Sequence, residues 1–172
     1  MATDVMKSMS EISYNVLFLC TGNSARSILA ESVLRKDGAG RFKVFSAGSQ
    51  PKGAVNPLAL KVLKAHDYPS EGFRSKSWDE YAGPRAPAMD FVFTVCDSAA
   101  KEQCPYWPGQ PMTAKWGVDD PAAVKGTPEE VARAFHDAFV VLDRRIGLFL
   151  ALPLATLGDM AIKREVDEIG QS

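Results

Sequence analysis

Cys20 and Arg26 could together perform nucleophilic chemistry on a tetrahedral oxyanion. A thiolate is a strong nucleophile, and a guanidinium presents two parallel N–H donors that fit two oxygens of such an anion. Between these residues, successive backbone N–H groups could turn inward and form an anion nest. The intervening residues are Thr21, Gly22, Asn23, Ser24 and Ala25. We therefore predict an oxyanion-binding loop over residues 20–26, with Cys20 as the nucleophile.

Individual loop residues suit this role. Gly22 allows close approach of the backbone, and Asn23 tolerates a left-handed conformation and could brace the loop through its side chain. Either Ser24 or Ser27 could donate a hydrogen bond to the Cys20 sulfur. The helix predicted to begin near Ser27 points its positive end at the loop. The nest and this helix end should lower the pKa of Cys20, so that a thiolate is present near neutral pH.

A second thiol is expected near Cys20. The apolar run 16–19 ends at Cys20, and the run 91–95 ends at Cys96. Such runs are typical of strands buried on both faces of a parallel sheet, and the carboxyl ends of parallel strands meet at one edge, where ligands bind. We predict that both thiols lie at that edge. The alternative is two small buried hydrophobes without chemistry.

An acid is needed if an oxyanion ester is to be cleaved. Asp119 and Asp120 precede Pro121 in a loop that follows the last predicted strand. Because Pro121 restricts the residue before it to an extended conformation, Asp120 is our choice for the acid. An Asp-Pro turn without chemistry is the alternative.

Strands and helices alternate along the chain. The pattern predicts strands over 16–19, 43–46, 91–95 and 112–116 and helices over 27–35, 98–103 and 154–168. Further helices are predicted to begin after the N-caps Asn56, Ser77 and Thr127. This order predicts an α/β fold with one domain, in which a parallel sheet carries helices on both faces.

Composition restricts the partners. The chain has 172 residues and a net charge of −1, which argues against a nucleic-acid-binding or membrane-surface protein, since both usually show a basic face. The apolar run 146–157 is shorter than the ~20 residues that span a bilayer. Three cysteines are too few for a secreted disulfide scaffold. They are either inert core thiols or reactive cysteines in a reducing, cytoplasmic compartment, and composition does not decide between these two; we expect a cytoplasmic protein. His66 and His136 belong to no cluster with metal-ligand spacing, so no metal site is expected.

Four segments carry a resemblance to a known family: 20–27, Ser46-Ala47-Gly48, Asn56-Pro57 and 116–121. In these segments the chain resembles the low-molecular-weight tyrosine phosphatase superfamily and, more narrowly, the arsenate reductases built on that fold. The resemblance covers residues 14–150. It implies a four-stranded parallel sheet, a nucleophile at Cys20, an oxyanion clamp at Arg26 and an acid at Asp120. Outside it lie a flexible arm over 1–13 and a helical extension over 151–172.

The resemblance also implies a relay of thiols. In the reductases a second cysteine attacks the first after arsenate is bound, and a third resolves the disulfide; Cys96 and Cys104 match this pair. Arsenite would leave, and thioredoxin, or glutathione with glutaredoxin, would reduce the disulfide without a bound cofactor. Phosphate and sulfate would compete with arsenate. A phosphatase on the same scaffold is the alternative function, and a non-catalytic oxyanion sensor or partner-binding domain is a third.

The relay places a demand on residues 96–104. If this segment were wholly helical, the Cα atoms of Cys96 and Cys104 would lie ~12 Å apart, whereas a disulfide tolerates about 4.4–6.8 Å. We therefore predict that the segment unwinds or loops when these cysteines pair.

Lys76 departs from the pattern of the family. Some relatives place an acidic residue here, beside a monovalent-cation site that also involves the counterparts of Asn23, Glu31 and Ser46. We hypothesise that the Lys76 ammonium replaces that cation and supports the loop through Asn23 or Glu31. A solvated lysine is the alternative.

Overall fold

The structure, a computed structural model, describes residues 13–96 and 107–172. The short helix predicted over 98–103, most of the N-terminal arm and Cys104 lie outside the described residues. The predicted unwinding of 96–104 lies outside them too, apart from Cys96. The division into arm, domain and extension stays a prediction.

Four parallel strands form one sheet. They are β1 (Tyr14–Leu19), β2 (Phe42–Ala47), β3 (Phe91–Thr94) and β4 (Met112–Lys115), in the order β2-β1-β3-β4. All four predicted strands are present, and the α/β class with a four-stranded parallel sheet is confirmed. The residues of β1 from Val16 to Leu19 are fully buried, which explains their continuous apolar run.

The described residues contain four α-helices: α1 (Arg26–Asp37), α2 (Pro57–Ala65), α3 (Pro128–Leu150) and α4 (Asp159–Gln171). The N-caps predicted for α2 and α3 are confirmed. The Asn56 side chain accepts the Leu58 N–H at 2.9 Å, and the Thr127 hydroxyl accepts the Glu130 N–H at 3.1 Å. α4 begins five residues later than predicted and ends three residues later.

The helix predicted after Ser77 is wrong in length. Only a single 3₁₀ turn forms, over Trp78–Tyr81, and Ser77 caps it by accepting the Asp79 N–H. The Glu80 carboxylate pairs with Arg74 instead of closing a capping box. The Glu80 side chain is therefore not available for a capping box, because it forms an ion pair with a residue outside the turn.

The core lies mainly on one side of the sheet. There the four helices contribute to a cluster in which Phe93 stacks on Trp116 with ring centroids 4.0 Å apart, and Phe149 meets both rings edge-on. A smaller cluster on Leu17 and Leu19 lies on the other face, with Trp107. Among residues 13–96 and 107–172, no helix is long and apolar enough to cross a membrane.

Candidate active site

The loop 20–26 joins β1 directly to α1, as predicted. Ala25 is the N-cap of α1, and in the described residues no side chain caps this helix end. The first turn contains no acidic residue. Its N–H groups and the positive end of the helix dipole are therefore available to an anion from outside the protein.

Backbone hydrogen bonds orient the loop. The carbonyls of Thr21, Gly22 and Ser24 each accept an N–H from the segment 50–56, at 2.8–3.0 Å. The Ser75 hydroxyl also donates to the Gly22 carbonyl, at 3.0 Å. Because a trans peptide points its C=O and the next N–H in opposite directions, the N–H groups of the residues that follow point away from this segment. This is the arrangement that an anion nest requires.

Asn23 braces the loop from beneath, as predicted. Its φ is 44°, in the left-handed region, and its side chain is fully buried. Its amide nitrogen donates to the hydroxyls of Ser27 at 2.8 Å and Ser46 at 3.0 Å. Its amide oxygen accepts the backbone N–H of Lys76 at 2.9 Å. One side chain thus ties the loop to α1, to β2 and to the segment before the 3₁₀ turn.

A buried charge cluster lies below Asn23. The Ser46 hydroxyl donates to Glu31 at 2.5 Å, and Arg35 pairs with the other oxygen of that carboxylate. Burial raises the pKa of Glu31, although Ser46, Lys76 and Arg35 oppose this. Burial lowers the pKa of Lys76, and the charge of Glu31 opposes it.

Lys76 is buried, so the alternative of a solvated lysine is wrong. Only 7% of the residue is exposed, and its ammonium donates to the Arg74 carbonyl at 2.9 Å. Its backbone N–H, rather than its ammonium, contacts Asn23, and its charge attracts Glu31. That Lys76 takes the place of a cation stays a prediction.

Gly48 is a site residue whose role the sequence patterns did not reveal. A Cβ at this position would lie 2.4 Å from the carbonyl oxygens of both Cys20 and Thr21. Any side chain here would displace the backbone of the loop. The available signal was a glycine directly after β2, at the carboxyl edge of the sheet.

Cys20 and Cys96 meet at that edge, so the prediction that one sheet edge holds both thiols is confirmed. β1 and β3 are neighbours, and the backbone N–H of Val95 donates to the Leu19 carbonyl at 2.8 Å. The Thr21 N–H donates to the Cys96 sulfur at 3.2 Å. Both cysteines are buried thiols.

The expected lowering of the Cys20 pKa is wrong for this arrangement. A hydrogen bond with Cys96 raises the pKa of Cys20 well above its usual value, and burial raises it further. The Arg26 charge and the Gly22 N–H lower the pKa, as the sequence suggested, but they do not outweigh the first two effects. The sequence patterns predicted the loop and its helix, whereas the contact between the thiols depends on the packing of two strands.

Arg26 lies between the loop and the candidate acid. Its Nη1 donates to the Val118 carbonyl at 2.8 Å, and its Nη2 lies 3.6 Å from a carboxylate oxygen of Asp120. Its Nε is buried and meets no acceptor in the described part of the chain. Asp120 also caps the 3₁₀ turn Pro121–Ala123 by accepting the Ala122 N–H. An oxyanion could therefore take up the Nε donor at once and compete with Asp120 for Nη2.

A cavity of about 430 Å³ opens over the loop. Its described lining is Cys20, Thr21, Gly22, Ser24, Ala25, Arg26, Gln50, Lys52 and Asp120. Asp120, and not Asp119, therefore faces the nucleophile across the cavity. None of these lining residues is aromatic. The described residues include no group of three or more His, Cys, Asp or Glu side chains that could hold a metal.

Comparison with known proteins assigns the family. Residues 15–159 match the model of the low molecular weight phosphotyrosine protein phosphatase family. The chain belongs to this family. It is also 36% identical over 134 residues to an arsenate reductase of Oceanobacillus iheyensis, which covers 78% of this chain and 93% of that protein. The match to the family ends at residue 159, so nearly all of α4 lies beyond it.

Two solved structures have the same fold. A structure described as an arsenate reductase in the phosphate binding state superposes with a TM-score of 0.66 at 23% identity, covering 80% of this chain and 97% of that chain. A thioredoxin-dependent arsenate reductase of Corynebacterium glutamicum gives a TM-score of 0.53 at 21% identity, covering 86% and 72%. The roles of the individual site residues stay predictions.

Proposed function

We propose that this protein reduces arsenate to arsenite with a relay of thiols. The observation that carries the proposal is the second thiol, Cys96, which lies beside the nucleophile: its sulfur accepts the backbone N–H of Thr21, the residue after Cys20, at 3.2 Å. Arsenic(V) bound to sulfur accepts two electrons when another thiolate attacks that sulfur, whereas phosphorus(V) does not. The arsenate reductase of Oceanobacillus iheyensis supports the same activity.

The first step joins Cys20 to arsenic. The oxyanion occupies the loop N–H groups and the Nε of Arg26, and it displaces Asp120 from Nη2. The Cys20 sulfur then forms a bond to arsenic while one As–O bond breaks. The departing oxygen takes up a proton and leaves as water. This proton is balanced by the one that the Cys20 thiol loses, and Asp120 is placed to deliver it to the oxygen.

The second step transfers two electrons. The Cys96 sulfur attacks the Cys20 sulfur, an S–S bond forms, and the S–As bond breaks with its electron pair on arsenic. Arsenite leaves as arsenic(III). Cys104 would then exchange with this disulfide, and an external dithiol would reduce the protein. We expect thioredoxin or glutathione with glutaredoxin in this role, in the cytoplasm; the thioredoxin-dependent protein of Corynebacterium glutamicum supports the first.

A phosphatase is less well supported. The reaction of a phosphatase uses no second thiol, whereas the Cys96 sulfur lies beside the loop and accepts the Thr21 N–H at 3.2 Å. An aryl phosphate also needs a wall for its ring, and no aromatic residue stands among the described residues of the cavity. A small inorganic oxyanion fits this lining better.

The test is an assay of arsenate-dependent NADPH oxidation, with thioredoxin and its reductase or with glutathione, glutaredoxin and glutathione reductase. We expect turnover with one of these systems and none for Cys96→Ser or Cys104→Ser. The pre-reduced protein alone should release one arsenite per chain. Hydrolysis of p-nitrophenyl phosphate without arsenite release would instead establish the phosphatase.

A further inference from the structure

The loop 116–121, which carries Asp120, is held by two arginines. Arg145 of α3 donates from Nη1 to the carbonyls of Trp116 at 2.9 Å and Gly117 at 3.1 Å. Arg26 donates to the next carbonyl, that of Val118, at 2.8 Å. Three consecutive carbonyls therefore fix the path of the chain just before the candidate acid.

Arg145 is an unusual residue to find in the interior. It is 7% exposed, and burial lowers its pKa. Its acceptors are carbonyl oxygens, including that of Ser172 at 3.1 Å, and its buried Nε meets no acceptor in residues 13–96 and 107–172. Burying a guanidinium against carbonyls alone is costly, but its planar fork can hold two successive carbonyls as a single unit.

Helix α4 contacts the beginning of the same loop. The indole N–H of Trp116 donates to the Val166 carbonyl at 2.9 Å, and Lys163 donates to the Thr113 carbonyl on β4 at 2.5 Å. A Cβ at Gly170 would lie 2.2 Å from the Lys115 carbonyl oxygen. The helix therefore lies directly on the end of β4, and Arg145 links the loop to Ser172, the residue that follows the helix.

We propose that α4 and Arg145 position the loop 116–121 and, through Val118 and Asp120, set the geometry of Arg26 at the oxyanion site. This inference rests on the proposed function for the roles of Asp120 and Arg26. Arg145 is a positioning residue, because it acts through the loop and does not line the cavity of Cys20. Since the family match ends at residue 159, the device depends on a part of the chain outside that match.

The competing explanation is purely structural. A helix over β4 also covers an edge strand, which protects the sheet from unwanted pairing. In that case, substitutions would lower stability and leave the folded site unchanged. Affinity for inorganic phosphate and amide exchange at Val118, whose N–H donates to the Val95 carbonyl, separate the two explanations.

The first experiment compares Arg145→Met and Arg145→Lys with Arg144→Met, which changes the exposed neighbour on α3. We expect Arg145→Met to lower kcat/KM for arsenate by about 10-fold to 100-fold, mainly through kcat, because small displacements of positioned groups have effects of this size. In Arg145→Met, inorganic phosphate should bind several-fold more weakly than in the wild type. The substitution should also speed hydrogen exchange of the Val118 amide more than that of core amides. Arg145→Lys should recover part of each effect, and Arg144→Met should match the wild type.

The second experiment displaces α4 without changing charge. Gly170→Ala introduces the contact with Lys115, whereas in Gly147→Ala on α3 the added methyl group meets nothing within 4 Å. We expect Gly170→Ala to weaken phosphate binding and to speed Val118 exchange, and Gly147→Ala to do neither. The kcat for arsenate should fall for Gly170→Ala and not for Gly147→Ala, because the acid moves only in the first.

The outcomes are distinct. If the wild type does not reduce arsenate, the proposed function fails, whereas phosphate affinity and Val118 exchange still test the positioning role. If Arg145→Met and Gly170→Ala lower the melting temperature but leave phosphate affinity and relative Val118 exchange at wild-type values, the positioning role is overturned.

Discussion

At the scale of residues, the site is governed by two opposed influences on one sulfur. Arg26 and the Gly22 N–H of the loop favour the Cys20 thiolate, while the Cys96 thiol and burial favour the protonated form. Cys20 therefore keeps its proton until an oxyanion or a movement of Cys96 changes the balance. This suits a relay, in which an unreacted nucleophile is protected from oxidation until substrate arrives.

Removal of the Cys96 thiol should lower the pKa of Cys20. The hydrogen bond with Cys96 is the largest cause of the raised value, so Cys96→Ala should increase the thiolate fraction of Cys20 at any pH below its pKa. In a Cys104→Ser background, alkylation of Cys20 by iodoacetamide at pH 7 should speed by about 10-fold or more, as expected for a shift of at least one pKa unit.

The matched control for this measurement is Cys104→Ser with Cys96 retained. Rates should be followed from pH 5 to pH 10, since the pH profile separates a change in pKa from a change in access. The control with Cys96 should still gain rate at pH 10, whereas Cys96→Ala should level off within this range. Parallel pH profiles of the two proteins would contradict the role given to the contact between the thiols.

At the scale of elements, the sequence predicted much of what positions the site. Apolar runs identified four strands, and the caps Asn56 and Thr127 identified the starts of two helices, because these signals are local. The features that were missed depend on distant contacts. Gly48 matters because β2 ends against the loop, and the thiol contact of Cys20 joins residues that are 76 positions apart. Arg145 gives no local signal, since its partners lie on a loop and at the end of α4.

The cluster of Glu31, Ser46 and Lys76 joins α1, β2 and the segment before the 3₁₀ turn, so its charges should appear in stability. Burial raises the folded-state pKa of Glu31 above 4.5. A raised carboxyl pKa contributes stability that is fully present below the unfolded value and is lost as pH rises through the folded value. The Lys76 charge lowers the pKa of Glu31, so Lys76→Met should raise this pKa further. The stability that is lost as pH rises to 8 should then become larger by on the order of 1 kcal/mol.

The free energy of unfolding should be measured by urea denaturation from pH 4.5 to pH 8. The difference between wild type and Lys76→Met should grow with pH, whereas the difference between Glu31→Gln and the Glu31→Gln, Lys76→Met double variant should not change with pH. A difference that is constant with pH would contradict the electrostatic account.

If Lys76 also replaces a cation, arsenate reduction by the wild type should be equal in KCl and NaCl of the same ionic strength.

At the scale of the whole molecule, the fold alone does not distinguish a phosphatase from a reductase. The family to which the chain belongs is named for phosphatases, yet the chain is 36% identical to an arsenate reductase. In this chain the carboxyl edge of the sheet carries the oxyanion loop, and in the proposed reaction the second thiol directs that loop toward reduction. The loop also links oxyanion binding to the stability of the entire domain, because β1, β2 and α1 all hold it in place.

Phosphate or sulfate should therefore stabilise the whole protein through Arg26. At 100 times its dissociation constant, a ligand that binds only the folded state adds about 2.7 kcal/mol, which corresponds to about 5–10 °C for a domain of this size. Arg26→Lys loses the Nε donor and the two-pronged geometry, so most of this rise in melting temperature should vanish. Arg144→Lys, which changes an exposed arginine of α3, should keep it. An equal rise in NaCl of the same ionic strength, or an undiminished rise in Arg26→Lys, would show that the anion acts elsewhere.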